Sequence, residues 1–461
     1  MESKNKERFR KFTQGYTFKI LLLGFLVLIL LVPLTMFRIL ITERSRTANF
    51  AEADIMEAWG SELLVAGPVI AVPGIRTEER RTRTDDGERI EIITRPFTLM
   101  IAPQELDIRA DFITEIRRRG IFSVPLFSGS LGFQGFFNPA SALSSLLPNE
   151  EVFFDQAELI IALSSQKGIR RIDRSEWAGT ELFFQPGNHR LPIARQAMSS
   201  SARQGDFLWS GIHDILTGFE NIESAFDISI AIQGGRMLRF LPVGQNTHVR
   251  VFADWPSPSF QGSFLPGSSN ISESGFDAVW DISYLSRDIP LHWKSVENDY
   301  HDYYASFFGL NFFRAIDTYS LNTRAVKYAV LFLVVPFLTF FLLEIFAKKR
   351  IHPVPYLLSG IANVIFYLLL LSLSEQMQFY QAYLIASVAV VVLLTFYSRS
   401  LLASWSKSWY MGLVGLLSYL LLYAVLNAES YALLIGSIMA FVVIALVMYL
   451  TRRLDWYGSD E

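Results

Sequence analysis

The pattern of hydrophobic positions divides this chain into two kinds of segment. Five apolar runs, nearly free of charge, fill the C-terminal third at 328–346, 354–374, 380–397, 409–426 and 431–450, and another stands near the N-terminus at 20–37. Each approaches the ~20 residues an α-helix needs to cross a ~30 Å hydrocarbon core. Backbone N–H and C=O groups find no water in lipid, so runs of this length must satisfy them internally, as helices. Between residues 44 and 324 the pattern changes to short stretches rich in Val, Ile, Phe and Thr, broken by Gly, Pro and Asp. Strands are predicted at 68–73, 90–101, 157–163, 226–232, 237–243 and 247–253, mostly antiparallel. Asp85, Asp86 and Gly87 give a turn signal, and Gly234 with Gly235 reads as a hairpin turn. Residues 43–64 keep helical apolar spacing (Ala51, Ile55, Ala58, Leu63), which extends the first membrane helix outward.

The fold class expected is an α-helical multi-pass membrane bundle of six transmembrane helices, with a large, predominantly β extracytoplasmic domain between helices one and two. The expected divisions are a cytoplasmic basic tail (1–19), a signal-anchor helix (20–42), a periplasmic β-rich domain (43–325), a five-helix bundle (326–450) and a cytoplasmic tail (451–461).

Charge sets the orientation. Lys4, Lys6, Arg8, Arg10, Lys11 and Lys19 precede the first run against only Glu2 and Glu7, and no small-residue cleavage site follows it. Lys348, Lys349, Arg350, Arg399, Lys407, Arg452 and Arg453 fall in the segments that would then be inside, whereas the two short outer loops hold Glu375 and Glu429. Short loops rich in Lys and Arg stay inside, so both termini are expected in the cytoplasm.

Composition narrows the compartment and the chemistry. Of 461 residues 18% are charged, too many for a chain wholly within lipid, and the net charge of −3 gives no basis for nucleic-acid binding. No cysteine is present, which excludes disulfides, thiolate metal sites and a cysteine nucleophile, and points to a bacterial envelope. Phosphate-loop, dinucleotide, serine-hydrolase and zinc-protease signatures are missing. The histidines, His189, His213, His248, His292, His301 and His352, are never within five residues of one another, so no metal site is expected, and the His213–Asp214 and His301–Asp302 pairs read as surface or turn residues.

Within the runs Glu344 is the ionisable candidate, four residues before Lys348, where the two can pair on one helix face. Asn363 in mid-helix is expected to bond a neighbouring helix. Ala382 with Ala386, and Gly436 with Ala440, have the spacing of close helix packing. Trp405, Trp409, Tyr410, Tyr431, Trp456 and Tyr457 fall where interfacial aromatics belong. In the domain, Arg80, Arg81, Arg83 and Arg117, Arg118, Arg119 form basic clusters interleaved with acids, read first as solvated surface and second as lipid-headgroup contacts. Gly129, Gly132 and Gly135 alternate with Phe133, Phe136 and Phe137 in a segment that fits either a buried hairpin or a contact loop.

Two longer motifs stand out, WPSPSFQGSFLP at 255–266 followed by ISESGFDAVW at 271–280, and RIHPVPYLLSGIANVIFYLLLLSLSE at 350–375. With GPVIAVP at 67–73, TRAVKYA at 323–329 and LTRRLDWY at 450–457, they resemble the CreD family of bacterial inner-membrane proteins over nearly the whole chain. The resemblance implies a multi-pass inner-membrane protein associated with the Cre two-component system, E-group colicin tolerance, envelope integrity and the β-lactam response. It brings no catalytic residue and no cofactor. Pro256 and Pro258 pre-set an extended backbone, so Trp255, Pro256, Pro258, Phe260, Phe264, Glu273, Phe276 and Trp280 are the candidate interaction surface, with a core-filling corner as the competing reading. The expected partners are the lipid bilayer and an envelope protein. The alternative function is a membrane-anchored periplasmic sensor or ligand-binding protein.

Overall fold

The computed structural model describes residues 16–84, 87–120, 122–188, 190–191, 193–194, 207–208, 210–217, 219, 223–295, 306–312, 318–347, 351–428 and 431–452. The chain forms two compact units, one of residues 1–49 with 316–461 and one of residues 50–315.

Six long helices carry the apolar runs: α1 (Tyr16–Trp59), α2 (Thr318–Ala347), α3 (Pro353–Ser374), α4 (Phe379–Leu402), α5 (Trp405–Asn427) and α6 (Ala432–Thr451). The first five contain stretches long and apolar enough to cross a membrane, and α6 adds the shorter apolar stretch Leu433–Tyr449. Helices of this kind contact the bilayer, and large side chains such as Leu384, Leu393, Phe396 and Phe441 point outward from them. α1 has 44 residues, about 66 Å at 1.5 Å per residue, and so continues beyond its apolar run as its spacing predicted. Local chemistry sets several ends. His352 accepts the Val354 N–H ahead of Pro353 at the first turn of α3, and α4 stops at Ala403, which adopts φ +51°. Buried Ala382 and Ala386 allow close packing of α4.

The second unit is built from strands β1 (Leu63–Thr84), β2 (Gly87–Ile101), β3 (Glu105–Arg119), β4 (Phe122–Phe137), β5 (Glu150–Val152), β6 (Glu158–Leu163) and β7 (Ile169–Trp177). Short strands follow: β8 (Thr180–Glu181), β9 (Gln185–Pro186), β10 (Ile193–Ala194), β11 (Phe207–Leu208) and β12 (Gly211–Ile215). The remainder are β13 (Ser224–Gly235), β14 (Met237–Leu241), β15 (Asn246–Ala253), β16 (Pro258–Gly262), β17 (Ser268–Ser272), β18 (Gly275–Ser283), β19 (His292–Ser295) and β20 (Phe308–Phe312).

Sheet A runs β16-β20-β14-β1-β6-β12-β9 with β2, β5 and β19 off that path; sheet B runs β17-β18-β15-β3-β4-β13-β7-β8. One continuous core joins residues of both, including Val69 and Ile160 of sheet A and Ile108 and Ile230 of sheet B. Pairing is antiparallel except for β1 with β14 and β3 with β15.

The hairpin reading of Gly234 and Gly235 is corrected here. β13 pairs with β4 and β7 in sheet B, whereas β14 pairs with β1 and β20 in sheet A. Both glycines stay paired with β4, the chain changes sheet at Arg236, whose φ is +61°, and Phe127 and Leu126 pack against the space a side chain at the glycines would need. Gly67, within the GPVIAVP motif, sits where β1 shifts register against β6; its φ is +116° and a Cβ would lie 2.7 Å from the Ile160 carbonyl oxygen.

The last part of α1, from residue 50, belongs to the second unit, where Met56 packs on Val124 and Leu126 of β4. Arg117 lies over the Trp59 ring at 4.0 Å and Arg119 pairs with Asp54 at 2.8 Å, so these two cluster arginines hold α1 against the β3–β4 hairpin. The segment with Gly129, Gly132 and Gly135 is strand β4, with Phe133 and Phe137 in the core. Asp85, Asp86, His189, His301, Asp302, Lys348, Trp456 and Tyr457 lie outside the described residues, as do residues 1–15.

Candidate interaction surface

The motif at 255–280 divides by burial. Trp255, Phe276 and Trp280 are buried, and Phe260 and Phe264 pack against the same core from partly covered positions. Phe260 of sheet A meets Trp280 of sheet B edge-on at 5.6 Å and Phe276 at 6.1 Å, while Trp280 also lies 5.6 Å from Phe308. These rings join the two sheets, and the Trp280 indole N–H donates to the Phe264 carbonyl at 3.2 Å, so its polar atom is not stranded.

The remaining motif residues face outward. Pro256 and Glu273 are exposed and Pro258, which opens β16, is half-buried. Between the motif halves lies β17, exposed along its whole length and paired only with β18 among the described residues. Its sequence, Ser-Ser-Asn-Ile-Ser, contains none of the charges or prolines that commonly protect a free edge. Leu265 before it is 71% exposed.

Elsewhere in the domain, charges are used to tie elements together. The Glu150 carboxylate is wholly covered, accepts the Leu147 N–H and pairs with Arg76 of β1 at 2.6 Å and Lys294 of β19 at 2.5 Å. Burial pushes its pKa up, but the Leu147 amide, Lys294 and Arg76 together outweigh this and hold it at about 2. Arg287 is buried and donates to the carbonyls of Val243, Gly244 and Ile289; burial lowers its pKa to about 10. His213 bonds the Gly187 carbonyl at 2.9 Å and His248 pairs with Asp281 at 2.6 Å. No group of three or more metal-ligating side chains occurs among the described residues.

In the helical unit the polar side chains satisfy one another. Tyr419 of α5 donates to Asn363 of α3 at 2.7 Å, and Tyr383 of α4 donates to the Tyr419 carbonyl at 2.6 Å, so Asn363 does bond a neighbouring helix. Asn322 of α2 donates to Ser374 of α3 at 2.9 Å. Glu344 of α2 pairs with Lys19 of α1 and accepts from the Tyr356 hydroxyl of α3 at 2.8 Å; Lys19 also donates to the Ile351 carbonyl at 2.9 Å. The expected local partner, Lys348, lies outside the described residues. Lys19 was missed as a partner because side-chain spacing rules reach only one turn along a helix; its place as the last charge before the first run was the available signal.

A helical bundle able to span a membrane, with a two-sheet β domain inserted after its first helix, defines a multi-pass membrane protein. Comparison with known proteins supplies the family. Residues 15–457 match the family described as "Inner membrane protein CreD". The Inner membrane protein CreD of Escherichia coli (strain K12) is 30% identical over 433 residues, covering 94% of this chain and 92% of that protein. The chain belongs to the CreD family of inner-membrane proteins.

Proposed function

We propose that this protein acts without catalysing a reaction, supporting envelope integrity and stress response, including β-lactam response and colicin tolerance, through contacts of a periplasmic domain. In this reading residues 43–325 are periplasmic, 20–42 form the signal anchor, 326–450 form the remaining bundle, and the tails 1–19 and 451–461 are cytoplasmic. The observation that carries it is the motif at 255–280, whose aromatic half fills the core while its outer half leaves the free edge of β17 beside exposed Glu273. Unpaired backbone N–H and C=O groups on such an edge accept an added strand, so the contact is with an envelope protein that presents an extended segment.

The test is photocrosslinking in intact cells from Asn270 and Glu273, with Asn270→Pro as the disrupting variant. A specific crosslinked protein, together with loss of envelope phenotype by Asn270→Pro at unchanged protein level, is the expected result. Wild-type phenotype for Asn270→Pro, or crosslinks to nothing but lipid, would reject it.

A further inference from the structure

The outer face of sheet B carries a second feature. Asp107, Arg109 and Asp111 of β3 stand on one side of a trench of about 350 Å³, with Arg174 and Asp227 opposite. In one row of the sheet Arg109 pairs in register with Gly132, Gly132 with Ser229, and Ser229 with Arg174. Two small residues thus separate two arginines across three strand spacings, about 14 Å.

Gly132 differs from the other glycines of β4. A Cβ at Gly129 or Gly135 would lie 1.9 Å from a backbone oxygen of β3, so both must be glycine. At Gly132 a Cβ would meet nothing closer than 3.8 Å. Glycine weakens a strand interior, and at Gly132, where no neighbour demands it, it leaves the sheet face open enough for another molecule to approach the backbone.

The walls are rich in hydrogen-bonding groups but nearly neutral. Asp107 pairs with Arg109, and Asp227 with Arg174 and the Gln134 amide. Asp173, also on the lining, pairs with Arg171. Asp111 makes no direct ion pair among the described residues but acts on Arg250 of β15, and Phe252, opposite it in register on β15, is 46% exposed, with Ile113 further along β3 exposed as well. Planar polar groups around a glycine floor, with one exposed ring at the rim, suit a ligand dense in hydroxyls with apolar C–H faces. An ionic ligand would have to displace the pairs already formed.

We propose that this trench binds a neutral glycan segment, with Gly132 and Ser229 as its floor, the Asp107–Arg109 and Asp227–Arg174 pairs bonding hydroxyls, and Phe252 stacking on a sugar ring. The site is separate from the edge of β17, and either reading can fail without the other.

The experiment uses the full chain in phosphatidylethanolamine/phosphatidylglycerol nanodiscs, since maltoside detergents would compete. Chitotetraose and maltotetraose are titrated by calorimetry and saturation-transfer NMR, with hexalysine peptide as the cationic comparison. At least one saccharide is expected to bind, and Gly132→Leu, which adds bulk to the floor at a position where a Cβ meets nothing closer than 3.8 Å, is expected to weaken it by about tenfold or more while leaving the unfolding temperature unchanged or higher. Phe252→Ala and Asp111→Asn provide the same readout from side chains outside the floor, and each should weaken binding several-fold. Absence of binding by both saccharides, equal binding by all three variants, or hexalysine binding in place of the sugars would overturn the proposal.

Discussion

Removing Lys19 should be more damaging than its place at the end of a helix implies. Glu344 is 6% exposed and its carboxylate is held by two side chains, Lys19 from α1 and Tyr356 from α3. Lys19→Met leaves an anion facing one phenol, and loss of one partner from a buried pair costs about 3–5 kcal/mol. Glu344→Gln is milder. Lys19 keeps the Ile351 carbonyl and lies 5.3 Å from the Tyr356 ring, and its flexible stem can carry the ammonium to water, so a loss of about 1–3 kcal/mol is expected. The double variant Lys19→Met/Glu344→Gln removes both charges together and should be less damaging than the two single losses combined. The assay is reversible unfolding of the full chain in mixed micelles, run as a double-mutant cycle. Additivity within about 0.5 kcal/mol would show that the two residues do not act as a pair and would refute the reasoning.

Three other outcomes follow from the geometry. Glu150, held at about 2 against its ordinary 4.5, binds protons less readily when folded, so its stabilisation is complete above pH 4.5 and is lost as pH falls toward 2. Glu150→Gln should therefore flatten the acid limb of the full chain's stability profile by about 3 kcal/mol, read by near-UV circular dichroism; an unchanged acid limb would contradict it. Trp280→Ala, at the junction of the sheets, should cost about 3–5 kcal/mol and deplete the protein in cells, whereas Glu273→Ala should leave its level unchanged, as immunoblotting would show. A phosphatase reporter fused at residue 200 should be active, since that enzyme requires export, and an inactive fusion at normal level would reject the periplasmic placement.

The helices were legible because lipid imposes a local demand, and a run such as 354–374 meets it without help from distant residues. Individual strands such as β15 were legible for a similar reason: its inward positions alternate with outward ones. Pairing was not. β1 lies beside β14, far along the chain, and nothing local to GPVIAVP identifies that partner. The two glycines that end β13 carried a turn signal, but they remain paired in sheet B and the chain turns at Arg236 instead. Aromatic content at 255–280 could not separate core from surface, since Trp280 and a contact residue satisfy the same composition. The outward row Asp107, Arg109, Asp111 lies on β3, a strand not among those predicted, and the gap opposite it depends on Gly132 of the next strand.

The two parallel pairings have a consequence for biosynthesis. β1, the centre of sheet A, has a free side until β14 is made, and β20 must then cover β14 about 250 residues after β1 began. At ordinary elongation rates that delay is about 10–50 s. Over that interval residues 63–66 of β1 lack their β14 neighbour first and β14 lacks β20 last, while β2 and then β6 are already available to pair with β1. Sheet A is therefore completed outward from the β1–β2 hairpin, with β14 and β20 added last.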